Sequence, residues 1–501
     1  MRLRNILIAL VMAVLLQGVY SCIDDKGNYS YIDKETLFPV TISGFKDTTV
    51  VMRTVLNIDP VLDNMDDTSR YIHLWYALPT DVAGYTPKRD TLSLEKKLSF
   101  TVTYETGTYK LVYELRDPKL DIYTYKDVRL TVQSDLGTGW YILKEENGET
   151  DIDYVTEEGV LKENLLASSE QERMKGKPVK MYYQSSRYSV DVENPDGTVT
   201  RLSNQRAFHV LSDQDMRTFN ADNMGMFYDY EHYFYETPEV CHPQNFGVGG
   251  SYYYYAINAG KLHSLYTMSA NNGKLGYARP GMYELHSDML LSMNAAMVFD
   301  KTTSTFYNSS AGGTTIDVFG NAPAGSVSST EMDTDLICLL TKKIANTSTG
   351  YALMKNKNKD EYYLFNVSHS MSGYPFTSVD TVPLNCEILD AEVRGASIYA
   401  SAIYYAKSKG DGDVLKVYKD SREEIRESEL ISFPGEKIAY IENIESPWGV
   451  TPAYNRLLIL TNSSAGWKLY LYDTVGQTPE LEETPVLVYS GRGKAGYAIL
   501  R

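Results

Sequence analysis

The chain has little cysteine, with only Cys22, Cys241, Cys338 and Cys386 among 501 residues. Their spacing is too wide to build a disulfide framework or a zinc knuckle. Cys22 takes a separate role below, and Cys241, Cys338 and Cys386 read as buried apolar cysteines. Positive charge is also short: 48 Lys and Arg stand against 65 Asp and Glu, a net charge of −17. Such a chain repels phosphate backbones, which excludes nucleic acid as a partner. After Ile6–Leu16 no apolar run approaches the roughly 20 residues that cross a bilayer. Motifs of enzymes are missing too, with no His-Glu-x-x-His, no Gly-x-Ser-x-Gly and no P-loop. The seven His are scattered, and Cys241-His242 has no second ligand pair near it, so no metal site is assigned. Asp411-Gly412-Asp413 lacks the run of oxygen ligands that calcium needs and reads as a hairpin turn. Gly491-Arg492-Gly493-Lys494-Ala495-Gly496 satisfies a dinucleotide fingerprint, but no helix can follow it. It reads as a turn before a last strand. No catalytic residue and no cofactor are assigned.

What is present begins with a leader. Arg2 and Arg4 precede the apolar run, and Val19-Tyr20-Ser21-Cys22 follows it. A charged start, a short apolar stretch and a small residue before the cut describe a signal peptide over residues 1–21. Val19 and Ser21 ahead of Cys22 resemble the bacterial lipobox, in which the cysteine receives a lipid. The expectation is therefore a membrane anchor on Cys22 and a polar tether over 22–35. Loss of Arg2 and Arg4 takes the net charge from −17 to −19.

Tyrosine is abundant, with 42 against 14 Phe and four Trp. Its ring packs like an apolar residue while its hydroxyl reaches water or a partner, which suits half-buried strands and also sugar-stacking surfaces. From 36 to 134 short alternating runs predict a sandwich of antiparallel strands. Tyr71–Tyr76 carries Trp75, and Gly107–Asp117 sets Tyr109, Leu111, Tyr113 and Leu115 on one face.

Beyond Gly137 a unit recurs: an apolar strand, a polar turn, then a strand rich in Tyr or Phe. Aligning Leu143, Leu211, Ile257, Phe299, Met354, Tyr405 and Leu460 gives spacings of 68, 46, 42, 55, 51 and 55 residues. Propeller blades run about 40–50 residues. Seven units over 137–501 therefore predict a seven-bladed β-propeller, whereas a pair of sandwiches gives no reason for the rhythm. Ring closure predicts that 496–501 lies in the sheet of 139–143, because an unpaired Tyr-Ile-Leu edge invites aggregation. Met226–Glu236 crowds aromatics with acids. It reads first as a strand with an inter-blade loop. In its functional reading, Tyr228, Tyr230, Tyr233 and Tyr235 stack a ligand's sugar rings. Paired carboxylates for glycoside cleavage, set roughly 5–9.5 Å apart, cannot be picked from 65 acids.

The lipobox Cys22, the following Ile23-Asp24-Asp25-Lys26-Gly27-Asn28-Tyr29, the 107–117 strand and Gly176-Lys177-Pro178-Val179 together resemble the PKD-like lipoproteins of Bacteroidota-type bacteria. Ala77-Leu78-Pro79 stands where PKD modules usually carry Asp-Gly, so the likeness is to a PKD-like relative. The resemblance implies a surface-exposed outer-membrane lipoprotein encoded beside a Sus-type importer. Its partners would be a TonB-dependent transporter with its lipoprotein lid, and a glycan or peptide ligand. It implies a non-catalytic binding or assembly subunit; the place of 36–134 between lipid and propeller makes it the expected spacer, with binding in 137–501. The alternative is a propeller hydrolase or lyase acting on polysaccharide, which an acid-rich central mouth would favour; an aromatic one would favour binding.

Overall fold

The computed structural model describes residues 34–64, 70–80, 88–193, 197–250, 252–267, 272–310, 314–342, 348–369, 373–420, 426–446 and 453–501. The leader and Cys22 lie outside them. The chain divides into two compact units between Gln133 and Ser134.

The first unit is a β-sandwich. Its main sheet runs in the order Thr48–Val51, Ile122–Gln133, Gly107–Asp117, Ile72–Pro79, Asp90–Ser93, and only the first pair is parallel. Two short ladders, Thr41–Ser43 with Val61–Asp63 and Val55–Ile58 with Leu98–Thr101, supply the facing side chains. Period-2 alternation sends Leu111, Tyr113 and Leu115 into one core with Phe45, Leu56, Leu98 and Leu130. Trp75 sits at its centre, fully buried, with its ring 4.7 Å from that of Tyr113 and 5.3 Å from that of Phe45. Its indole N–H donates to Lys96 O at 3.0 Å, so the polar edge of the ring is satisfied where it is buried. Asp117 closes its strand by accepting the N–H groups of Lys119 and Leu120 at 2.9 and 3.3 Å, which accounts for an acid at that position.

The second unit is a seven-bladed β-propeller. Among the described residues it has seven sheets. Blade 1 combines Lys494–Leu500 with Gly139–Glu146, Glu149–Thr156 and Leu161–Lys162. Blades 2 to 7 start at Pro178, Pro243, Leu285, Thr334, Arg394 and Lys437, and each begins with its inner strand. The seven aligned positions, from Leu143 to Leu460, all fall on the second strand of their blades, and all are fully buried.

The second strands read as apolar runs because both faces are covered. In blade 6, Ile403 and Tyr405 point into the cluster shared with blade 5, while Ala402 and Tyr404 point into the one shared with blade 7. One such cluster fills each of the seven gaps between blades. Two-residue turns end the runs where the backbone must go left-handed, as at Asn147-Gly148 with φ of 57° and 83°. The 68-residue first interval is explained by a long hairpin, Pro178–Glu193 with Val199–Ser212. Among the described residues blade 3 has three strands in place of the expected four. A loop stands in for the fourth, with Gly276 N–H on Ser264 O and Arg279 N–H on Leu262 O.

Closure follows the predicted pairing. Trp140 faces Leu500, Tyr141 faces Ile499 and Leu143 faces Tyr497, in an antiparallel ladder with one bulge. Arg501 secures it: its guanidinium donates to Leu136 O at 3.0 Å, Ala221 O at 2.6 Å and Asp222 Oδ1 at 2.6 Å. Inner strands crowd at the axis, and glycine makes room there. A Cβ on Gly395 would lie 2.7 Å from Ile441 O, and one on Gly496 would lie 2.8 Å from Pro178 Cβ.

Candidate functional site: the axial channel and its mouth

The inner strands of all seven blades surround a channel with a cavity of ≈ 280 Å³. Lys180, Asn245, Asp288, Thr341, Arg394 and Glu442 line it from blades 2 to 7, and Tyr497 comes from blade 1. Hydrogen bonds run from blade to blade around this wall. Lys180 Nζ donates to Asn245 Oδ1 at 2.7 Å, and Asn245 Nδ2 donates to Ser287 O at 2.8 Å. Leu339 N–H donates to Asp288 Oδ2 at 2.9 Å, and Ile398 N–H donates to Asn443 Oδ1 at 2.7 Å. Arg394 turns its Nε and Nη2 onto Ile388 O and also reaches Leu389 O. Lys180 keeps some accessible surface because it faces the channel, yet burial lowers its amine to about 8, against the opposing pull of Asp288.

Farther along the inner strands of blades 7, 1 and 2 lies a recess of ≈ 310 Å³, and Glu442 and Tyr497 line both it and the channel. Trp140, Tyr182, Tyr183 and Tyr454 supply its aromatic wall, with Glu442 and Glu445 beside them. The carboxylates are held: Tyr440 donates to Glu442 Oε2 at 2.5 Å and Tyr399 to Glu445 Oε2 at 2.6 Å. Two of the rings are fixed by cations, Arg501 lying 5.0 Å from the Tyr183 centroid and Arg456 4.3 Å from that of Tyr454.

The four tyrosines proposed as ligand contacts do not form one platform. Tyr233 is buried and shares a 2.6 Å hydrogen bond with His209 Nδ1. Tyr228 is buried as well, donating to Asn272 O at 2.6 Å. Both fill the gap between blades 2 and 3, where an aromatic ring gains more from leaving water than from waiting for a ligand. Tyr230 is half-buried, with its hydroxyl on Val240 O at 3.0 Å. Tyr235 alone of the four is exposed, and it donates to Asn272 Oδ1 at 2.7 Å. Cys338 and Cys386 are buried as expected, whereas Cys241 is only partly so, its thiol on Gln214 O at 3.2 Å. Asp413 spends its carboxylate on Lys437 Nζ and Ile438 N–H, both at 2.8 Å, as a blade-to-blade tie. Among the described residues no group of three His, Cys, Asp or Glu could hold a metal ion.

The residues that line the channel escaped the sequence reading. Each comes from the inner strand of a different blade.

Comparison with known proteins gives two kinds of likeness. A model of the PKD-like family matches residues 22–178, which spans the sandwich and the strands of blade 1 that precede blade 2. No curated protein matches the chain. Among solved structures, the chain is similar to a quinonprotein alcohol dehydrogenase-like protein from Bacteroides thetaiotaomicron. That match has 10% identity and a TM-score of 0.43, covering 91% of this chain and 96% of that one. It is also similar to dihydro-heme d1 dehydrogenase NirN, at 12% identity and a TM-score of 0.35, covering 73% and 75%.

Proposed function

We propose that the protein is a surface-exposed, lipid-anchored outer-membrane lipoprotein that serves a Sus-type uptake system as a non-catalytic binding subunit for glycan or peptide. The observation that carries this reading is the mouth of the channel: a concave recess walled by Tyr182, Tyr183, Tyr454 and Trp140, with Glu442 and Glu445 at its edge. Aromatic faces with fixed polar groups beside them are the makings of a small-ligand site. Tyrosine hydroxyls already hold both carboxylates, which suits recognition better than proton transfer. The PKD-like match over residues 22–178 includes Cys22 and is compatible with an accessory protein.

The test is binding of the purified protein to an array of polysaccharides and peptides, repeated with Tyr183→Ala and Tyr454→Ala. Binding that weakens in both variants supports the recess, and unchanged binding removes it. Cys22→Ala should release the protein from membranes, and unchanged fractionation would count against the anchor. The amine of Lys180, lowered by burial against the opposing pull of Asp288, favours one alternative: a hydrolase or lyase. New reducing ends or unsaturated products from an array-positive glycan would establish that alternative.

A further inference from the structure

We infer that the channel reads an acidic group, so that the ligand class is a saccharide bearing a carboxylate, with its ring in the recess and its carboxylate on Lys180. This rests on the recess being a saccharide site. Two cations line the channel. Arg394 is largely committed, since its Nε and Nη2 serve the carbonyls of Ile388 and Leu389. Lys180 is not. A lysine ammonium carries three donors, and among the described residues its hydrogen bond is to Asn245 Oδ1 alone.

Asn245 cannot turn away, because its amide nitrogen is fixed on Ser287 O at 2.8 Å. The wall therefore presents an oriented ammonium with donors to spare. Among the described residues no carboxylate lies within ion-pair distance of it; Asp288 acts from farther off and gives one oxygen to Leu339 N–H. A cation in this cavity with no carboxylate at ion-pair distance is costly, and an arriving carboxylate offsets that cost. The burial that lowers the Lys180 amine is the same cost expressed in its protonation.

Size and charge narrow the class. The two spaces of ≈ 280 and ≈ 310 Å³ share Glu442 and Tyr497, and together they suit one or two sugar units. The net charge of −17 disfavours a long polyanion at a distance, so a single acidic unit or a chain end fits better than an extended acidic polymer.

Titration calorimetry of the full chain with glucuronate and galacturonate against glucose and galactose tests the inference. The expected result is tighter binding of the uronates by about tenfold, the worth of one charge-assisted contact. Lys180→Gln should abolish that preference, and Lys180→Arg should restore part of it. Tyr183→Ala should weaken both kinds of ligand. Uronate affinity should decline as pH rises past about 8, while neutral-sugar affinity stays level. Equal binding of uronates and neutral sugars, or a preference that survives in Lys180→Gln, overturns the acidic reading and leaves the recess standing. If neither kind binds, both readings fall.

Discussion

The sandwich and the propeller are both all-β, yet they hold together differently. The sandwich has one apolar cluster built around Trp75. The propeller has seven, and a side-chain bridge crosses every gap between its blades. Going round from blade 1, the bridges are Arg501–Asp222, Lys180–Asn245, Asn245–Ser287, Asp288–Leu339, Asn366–Asp420, Asp413–Ile438 and Asp153–Trp467. Apolar contact is non-directional, so by itself it lets neighbouring blades slide. A buried polar bridge has one geometry and fixes the register, at the risk of a heavy loss when one partner goes. A two-layer sandwich has its register set by the strand ladders, and a ring of separate sheets has to set it seven times.

The sharpest way to break the comparison is to remove residues 494–501. Blade 1 would lose its inner strand and Arg501, and calorimetry should show the propeller transition abolished while that of the sandwich persists. A truncated protein that melts like the intact one would refute closure through this strand. Next comes Asp153→Ala. Asp153 pairs with Lys144 at 2.9 Å and accepts the Trp467 indole N–H at 3.0 Å, with both charged side chains at most 1% exposed. Its loss strands Lys144 and should cost about 3–5 kcal/mol. Replacing both partners, Lys144→Met with Asp153→Leu, should recover much of this in denaturant unfolding, since apolar residues of similar volume need no pairing.

Trp75→Ala should cost a similar amount, about 3–5 kcal/mol, through the cavity it leaves. That loss belongs to the sandwich, so the propeller transition should not move, and a shift in both would show that the units do not melt independently. The most gradual effect is a pH slope in the propeller. His209 is fully buried, and burial lowers its imidazole from 6.5 to about 3. The unfolded chain then binds the extra proton between those values, so stability is complete above pH 6.5 and falls as pH drops toward 3. The limit is about 1.4 kcal/mol per pH unit. His209→Gln should make that part of the curve shallower in thermal melts, with His369, also lowered by burial to about 4, leaving a remainder, and an unchanged slope would place its origin elsewhere.

Much of the architecture was legible in the sequence because second strands are buried on both faces and end in turn residues. Ile403-Tyr404-Tyr405 followed by Gly410-Asp411 shows its blade openly. Inner strands do not advertise themselves. Arg394-Gly395-Ala396 is short, polar and glycine-bearing, because the axis demands small residues and a solvated edge. The channel was hidden for the same reason, with Lys180, Asn245 and Asp288 brought together by the ring alone. In Met226–Glu236 the reading as a strand with an inter-blade loop fits the structure, and the reading as a four-tyrosine platform does not. Its alternation of rings and acids is what a surface strand would show, but the gap between blades 2 and 3 claims Tyr228 and Tyr233. Whether an aromatic faces a neighbour or a ligand depends on the blade beyond it, which lies outside any local window.

The pairing of Trp140 with Leu500 joins residues about 360 positions apart. Loop closure at that range is an entropic burden that no local hairpin carries, and contacts so distant form late. Blades 2 to 7 are each built from contiguous chain, and can form as it becomes available. Blade 1 alone must wait, and while it waits Gly139–Glu146 shows an open edge of backbone donors beside Trp140 and Tyr141. The time between synthesis of that edge and arrival of its partner is therefore the interval in which this protein is most open to mispairing. Anything that shields strand edges during that interval would raise the yield of native protein without touching its final stability.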